Sequence, residues 1–390
     1  VPIPTDMGNL KVGEPSRDVL AGIFRDLEFR DLWDRFASRE EAVSQEYKLC
    51  LTVEEVKALA DRIKTAGLVS IDTETTGTDP MAADLVGISF SLKEGKGVYL
   101  PLRHHYLGVP QQVPWLDARD VLKGVLEDEA ILKVGQNIKY DACVLKRHGV
   151  TLKGISFDTM IASYVINPGL RQHNLDALAQ RYLNHKMIAF HDVVGKGKNA
   201  RGFADVSVEK ACDYSCEDAD MTLRLKGILE KKIREEENEA LFHDLEMKLL
   251  PVLLDMEMTG IKIDSALFLK MSAAFAVEMR QVEQTIWAQA GMEFNLNSPQ
   301  QLGTVLFETL KLPGGKKTPK TKSYSTDVKV LQKLSESHEI AVDLLRFRSL
   351  AKLKSTYLDA LVRMVNPQTG RVHTSFNQTV AATGRLSSSN

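Results

Sequence analysis

The chain has 390 residues, 44% of them hydrophobic and 26% charged, with a formal net charge of −2. That is enough chain for two or three domains with real cores, and the balance excludes wholesale disorder. The near-neutral total argues neither for nor against nucleic acid, because local patches decide such binding. Cys50, Cys143, Cys212 and Cys216 build no disulfide framework, and no His or Cys pair near Cys212 and Cys216 completes a zinc set. They read as ordinary thiols in a reducing interior. No apolar run reaches the roughly 20 residues of a membrane span, and VPIPTDMGNL lacks the parts of a signal peptide. Val1 in place of Met and an end at TGRLSSSN read as the cut ends of a fragment.

Residues 1–50 have a Pro/Gly-rich start and then LAGIFRDLEFRDLWDRF, apolar at helical spacing, which reads as a linker followed by a helix. From Leu51, LTVEEVKALADRIKTAG is a helix with Thr52 as N-cap, Glu55 completing a capping box and Gly67 as terminator. Strands follow over 68–74, 85–92 and 97–102, the last two joined by the hairpin-like KEGKG. Next come a helix over 117–128, a strand over 131–135, a helix in NIKYDACVLKRHG and a short strand near Ile155. Helices over 158–166 and 174–182 and a long helix from Ser207 to about Asn238 complete this part. Three antiparallel strands feeding α-β-α units predict an α/β fold, a mixed sheet covered by helices.

After about residue 240 the pattern turns mostly helical. LFHDLEMKLLPVLLDMEMTG and SALFLKMSAAFAVEMRQVEQTIWAQAG are amphipathic, and each ends at a Gly. KLPGGKKTPKTKSYS has five Lys, no acid, and Gly and Pro to keep it out of regular structure. A third long helix is expected over roughly 335–365. Two long helices bracketing a basic loop suggest an arm with a charged tip.

The acids are the next signal. In SIDTET, Asp72 and Glu74 are two residues apart, so a strand turns both carboxylates to one side. Such a pair can simply reach water at a strand end. In an internal strand the two charges repel and raise one pKa, a cost that a hard dication such as Mg2+ or Mn2+ removes. Asn137 reads as an N-cap, with Asp141 in the first turns of its helix, where an acid alone usually balances the dipole. Tyr214 and Asp218 share a helical face, while Glu217 and Asp220 are further acids with no special claim.

Taken in order, D-x-E, N-x-K-Y-D and Y-x-x-x-D match the exonuclease motifs of the DEDD superfamily, tyrosine type. VGISFS, ILKVGQNIKYD, FDTM, GKGKN and EDAD, then TGIKID, EFNLNSPQQLGTVLFE, KKTPKTKSYSTD, LAKLKSTYLDAL and NPQTGRVHTSFNQTVAATGRLSSSN, are similar to bacterial DNA polymerases of family A. The resemblance covers about residues 51–390. It implies an RNase H-like exonuclease domain over 51–238, a mainly α-helical thumb with a basic tip over 239–364, and the start of a palm over 365–390. Residues 1–50 then resemble the stretch that joins a 5′-nuclease domain to the Klenow-type large fragment.

That family implies proofreading, a 3′–5′ hydrolysis of DNA in which two divalent ions, Mg2+ or Mn2+, stabilise the attacking and leaving oxygens. Asp72, central on its strand, is assigned as the bridging ligand. By resemblance Glu74 and Asp218 complete the site for the nucleophile's ion, and Asp141 supports the second. Tyr214 orients the attacking water, a phenol being a poor base at neutral pH. Gln136 and Asn137 are placed at the terminal nucleotide. Lys316, Lys317, Lys320 and Lys322 are placed at duplex phosphates, with a merely solvated loop as the alternative. Arg385 matches an arginine of the family that reaches the primer-terminal minor groove. The implied partners are DNA, single-stranded at the exonuclease site and duplex at the thumb, and the rest of the polymerase, its palm and fingers. The implied setting is a monomer in the bacterial cytoplasm, at the nucleoid and away from membranes. The polymerase carboxylates of the family lie beyond TGRLSSSN, so this chain does not hold them. An RNA exonuclease like RNase D shares the acids but continues into small helical domains, and a silent scaffold would lack the acids.

Overall fold

The structure is a computed structural model that describes residues 16–27, 29–36, 45–197, 200–317 and 323–389. The chain forms two compact units, Val1–Met258 with the returning segment Ser375–Ser389, and Thr259–Thr374. The resemblance implied breaks at 238 and 364. The first shift follows from α10 (Met247–Thr259), which carries the chain on before the division.

In the first unit β1 (Glu46–Leu49), β2 (Leu68–Thr75), β3 (Leu85–Lys93), β4 (Lys96–Pro101), β5 (Leu132–Gly135) and β6 (Ile155–Asp158) form one sheet in the order β1-β4-β3-β2-β5-β6. β2, β3 and β4 are antiparallel neighbours, while β5 and β6 continue parallel to β2. This is the mixed sheet that the strand pattern predicts. β1 is a departure, because EYKL lies in the stretch read as linker and helix. It runs parallel to β4, and the Tyr47 hydroxyl is held by Asp220 Oδ2 at 3.1 Å.

The helices α1 (Arg17–Asp26), α2 (Arg30–Phe36), α3 (Val53–Ala66), α4 (Trp115–Leu126), α5 (Ile138–Arg147), α6 (Thr159–Ile166), α7 (Leu175–Leu178), α8 (Phe190–Val194) and α9 (Val208–Glu235) belong to this unit with most of α10. The capping box of α3 forms as its sequence dictates: Glu55 N–H donates to Thr52 Oγ1, Glu55 Oε2 accepts from Thr52 N–H, and Gly67 ends the helix at φ 67°.

Strand alternation sorts the two sheet faces. Val69, Ile71, Ile88 and Phe90 join the main core with Val56 and Ile63 of α3 and Leu122 of α4. The opposite face of β2 carries Ser70, Asp72 and Glu74, paired across to Ser91, Ser89 and Gly87 of β3. α9 covers that face: Ser215 Oγ donates to Glu74 Oε1 at 2.6 Å. Gly97 permits the approach, since a Cβ there would lie 2.5 Å from Cys216 Cβ. All four cysteines are buried and free.

The second unit holds α11 (Ser265–Ala290), α12 (Pro299–Thr304), α13 (Val328–Ser335), α14 (Glu339–Lys352) and α15 (Ala360–Arg363) around Val282, Ile286, Leu302, Leu331, Leu344 and Phe347. The helix expected over roughly 335–365 forms as α14, a π-helical turn over Leu353–Asp359 and α15 in unbroken succession, and a separate short helix, α13, precedes it. Asp327 starts α13 by accepting from Val330 N–H at 2.9 Å. Ser335 Oγ donates to the Gln332 carbonyl at 2.7 Å where that helix ends. At the foot of the basic loop, Lys317 pairs with Tyr324 and its Nζ sits 4.8 Å from that ring's centre. Lys320 and Lys322 lie outside the described residues. Among the described residues no helix is long and apolar enough to cross a membrane.

Candidate metal centre

β5 pairs with β2 only as far as Ser70↔Val134. Past that point β2 runs on with one edge free of β5, and the start of α5 fills the gap. Asp141 Oδ1 accepts from Thr73 N–H at 3.0 Å and from Thr73 Oγ1 at 2.5 Å. Asp141, in the first turn of its helix, also supplies the hydrogen bond that a neighbouring strand would have made.

On the α9 side, ligand oxygens of Asp72, Glu74 and Asp218 all lie within 4.8 Å of one another. Glu74 is buried and the other two are half-buried. Burial, and then the Glu74 charge, push Asp72 well above the usual carboxylate range. Burial lifts Glu74 to about 7, with Asp141 adding to the rise and Ser215 opposing it. Asp218 is raised by burial and by Asp72 and Glu74, and Asp141 by burial and by Asp72. A cluster of carboxylate oxygens that repel one another suits a hard divalent cation, so the residues present fit the metal that the motifs imply. Asp72, Glu74 and Asp218 form the set, and Asp141 stands beside it with Oδ1 committed to Thr73.

Tyr214 lies one turn before Asp218 on α9, half-buried against the rings of Phe203 at 5.9 Å and Phe190 at 6.1 Å. Burial, then Asp218, Glu74 and Asp72, push its phenol far above its ordinary value, so it stays protonated. Its hydroxyl has no hydrogen-bond partner among the described residues.

A cavity of about 560 Å³ opens over Asp72 and Asp141, and Gln136, Asn137, Arg171 and His173 are among its lining residues. Gln136 is part of the wall itself. Its Nε2 donates to the His173 carbonyl at 2.8 Å and its Oε1 accepts from Thr159 Oγ1 at 2.5 Å. Asn137 occupies the N-cap position but not the role, with φ 56° and no capping hydrogen bond from its side chain. Asp158 takes the role over: Oδ2 accepts from Ile138 N–H at 2.8 Å, while Oδ1 caps α6 through Met160 N–H at 2.8 Å. One buried carboxylate thus starts two helices, which leaves the Asn137 side chain exposed at the cavity.

The acids given no special claim brace the site. Glu217 accepts from Ile188 N–H at 2.6 Å and pairs with His185 at 2.8 Å. Asp220 accepts from Gly95 N–H at 2.8 Å and pairs with Arg224 at 2.9 Å. Arg171, exposed on the cavity rim, and Phe190, 53% exposed beside Tyr214, were missed in the sequence. Arg171 sits in the irregular NPGLRQHN, where no periodicity marks it. Phe190 opens a helix of only five residues. Lys316 and Lys317 belong to the second unit, and Arg385 is exposed on the segment that returns to the first.

Residues 47–234 match the family model for 3′-5′ exonuclease, and residues 265–390 match that for DNA polymerase family A. The DNA polymerase I of Pseudomonas aeruginosa is 39% identical over 405 aligned residues, which cover 100% of this chain and 44% of that protein. The DNA polymerase I of Geobacillus stearothermophilus is 33% identical, over 99% of this chain and 42% of its own length. Among solved structures, the POL domain of Pol1 from M. smegmatis, in complex with DNA primer-template and dNTP, is similar with a TM-score of 0.71. It is 28% identical and the match covers 87% of this chain and 54% of that one. The chain therefore spans less than half the length of these two relatives. A mixed α/β exonuclease unit followed by a mainly helical one is the architecture that the resemblance implied, and the chain belongs to the DNA polymerases of family A.

Proposed function

We propose that the first unit removes nucleotides from single-stranded or frayed 3′ ends of DNA, with two divalent ions, Mg2+ or Mn2+, at the carboxylate cluster. The observation that carries this reading is the mutual approach of Asp72, Glu74 and Asp218 within 4.8 Å, with Tyr214 one turn away. Ions bound there supply positive charge to the attacking and leaving oxygens of an in-line displacement. Asp72 would serve as the shared ligand, Glu74 and Asp218 would hold the ion on the nucleophile's side, and Asp141, its Oδ1 held by Thr73, would turn Oδ2 to the second. Tyr214 positions the attacking water through its hydroxyl and does not act as a base. Arg171 and Asn137 face the phosphate and sugar of the terminal nucleotide, and the exposed Phe190 ring offers a surface for a base to stack on. Gln136 keeps the wall in place. A mispaired end reaches the site more easily because it costs less to unpair.

Lys316 and Lys317 are assigned to the duplex backbone, with Lys320 and Lys322 of the same loop, and Arg385 to the primer terminus. The DNA held by the M. smegmatis neighbour supports this assignment. The parent is read as a monomeric DNA-directed DNA polymerase of replication and repair in the bacterial cytoplasm, its palm and fingers completing the enzyme. The experiment is digestion of a 5′-labelled single strand in Mg2+. A ladder shortened from the 3′ end, lost with Asp72→Ala, is the expected result. Retained digestion by that variant contradicts the assignment, and a preference for RNA over DNA points to the processing enzymes instead.

A further inference from the structure

Beneath the carboxylates, the packing of α9 on the sheet buries three hydroxyls that have no partner. Ser70 and Ser89 are fully buried and Thr222 is 1% exposed. Among the described residues Ser70 Oγ, Ser89 Oγ and Thr222 Oγ1 meet no donor or acceptor. Their places in the fold bring them to one layer. Ser70 precedes Asp72 by two residues on the same face of β2, and Ser89 stands directly across from Asp72 in the β2–β3 register. The bond from Ser215 to Glu74 and the approach of Asp218 to Asp72 set α9 along β2, and Thr222 follows Asp218 by one turn on the helix, as Ser70 lies one step beyond Asp72 on the same strand face. Between them Ala219, fully buried on the same helix face, adds only a methyl group.

Burying one unpartnered hydroxyl is costly, and three in one layer is a pattern that native proteins resolve with internal water. Such a water typically makes about three hydrogen bonds to groups of this kind. We propose that Ser70, Ser89 and Thr222 hold one internal water that braces Asp72 and Asp218 from behind. The water spends its bonds on the three hydroxyls and on a carboxylate oxygen, and so fixes the direction in which the acids present their outer oxygens. Ser70, Ser89 and Thr222 are then positioning residues, acting on the metal through its ligands. This role rests on the reading of the cluster as a metal site. The water itself does not.

The test uses Thr222→Val, which keeps the shape and removes the hydroxyl, Ser89→Ala, and Thr222→Ser as the conservative control. A crystal structure of the metal-free chain should show a water within hydrogen-bond distance of all three hydroxyls. Thr222→Val and Ser89→Ala should each lower the melting temperature in chelator and weaken Mn2+ binding, read by calorimetry, by about tenfold. Thr222→Ser should retain both properties. A rise in melting temperature on losing either hydroxyl overturns the proposal, because removing a truly orphaned group stabilises. A dry layer in the crystal structure overturns it as well. Unchanged Mn2+ affinity in both variants overturns the bracing role. If the unmodified chain binds no Mn2+, the metal reading fails, while the water is still judged by the density and by the sign of the melting shift.

Discussion

The acids at the heart of the first unit divide into two groups that differ in what faces them. Glu257 is buried, with the Lys139 ammonium against Oε1 and the Phe376 N–H donating to the same oxygen at 2.6 Å. Asp220 has Arg224, and Glu217 has His185 and the Ile188 N–H. Asp72, Glu74 and Asp218 face chiefly one another: their near neighbours are hydroxyls and further acids, and the charges that act on them raise every one of their pKa values. On α9 the two kinds are adjacent, since Glu217 and Asp218 are consecutive. The difference shows that burial of acids alone does not mark a functional site. The mark is buried acids clustered on one another with no cation against them among the described residues, an arrangement that a dication fits.

The comparison breaks most visibly through activity. Asp72→Ala should reduce 3′ hydrolysis by about a thousandfold or more while the chain stays folded, read by single-turnover digestion and melting. Stability should then separate the two groups by sign. Lys139→Ala strands the buried Glu257 charge and should cost about 3–5 kcal/mol in a denaturant titration. Asp72→Asn relieves repulsion and should instead stabilise the metal-free chain by about 1–2 kcal/mol. Tyr214→Phe should slow digestion about tenfold and leave Mn2+ affinity unchanged, because the phenol orients water and holds no ion.

The smallest effect is in pH. Glu74 has a folded pKa of about 7, above its ordinary 4.5. A carboxyl raised in this way contributes stability fully below its ordinary value and loses it as pH rises through the folded one. The metal-free chain should therefore melt about 5 °C lower at pH 8 than at pH 5.5, and Glu74→Gln should flatten that slope.

The site was legible in the sequence wherever a local period carries it. Two residues on a strand put Asp72 with Glu74, and four on a helix put Tyr214 with Asp218, and the structure keeps both relations. The β2–β3–β4 meander and the cap of α3 were legible for the same reason. What escaped depends on partners distant in sequence. Asp158 reaches back 20 residues to cap α5, so Asn137 looked like the cap. Glu217 and Asp220 meet His185, Tyr47 and Gly95, which no spacing within α9 reveals. β1 is four residues of alternating exposure, too short and polar to read as a strand until β4 is there to pair with it. The separate short helix α13 escaped as well, because only the cap at Asp327, which accepts from Val330 N–H, starts it ahead of the long helix that the apolar spacing did show.

The central claim is that the counter-charge of this cluster is a divalent ion. Calorimetric titration of the metal-free chain with Mn2+ at pH 7, repeated in buffers of different ionisation enthalpy, tests it most directly. The account predicts saturable binding that releases protons, because the raised carboxyls must give them up, and loss of that binding in Asp218→Asn. Absence of binding, or binding that Asp218→Asn leaves intact, would contradict it.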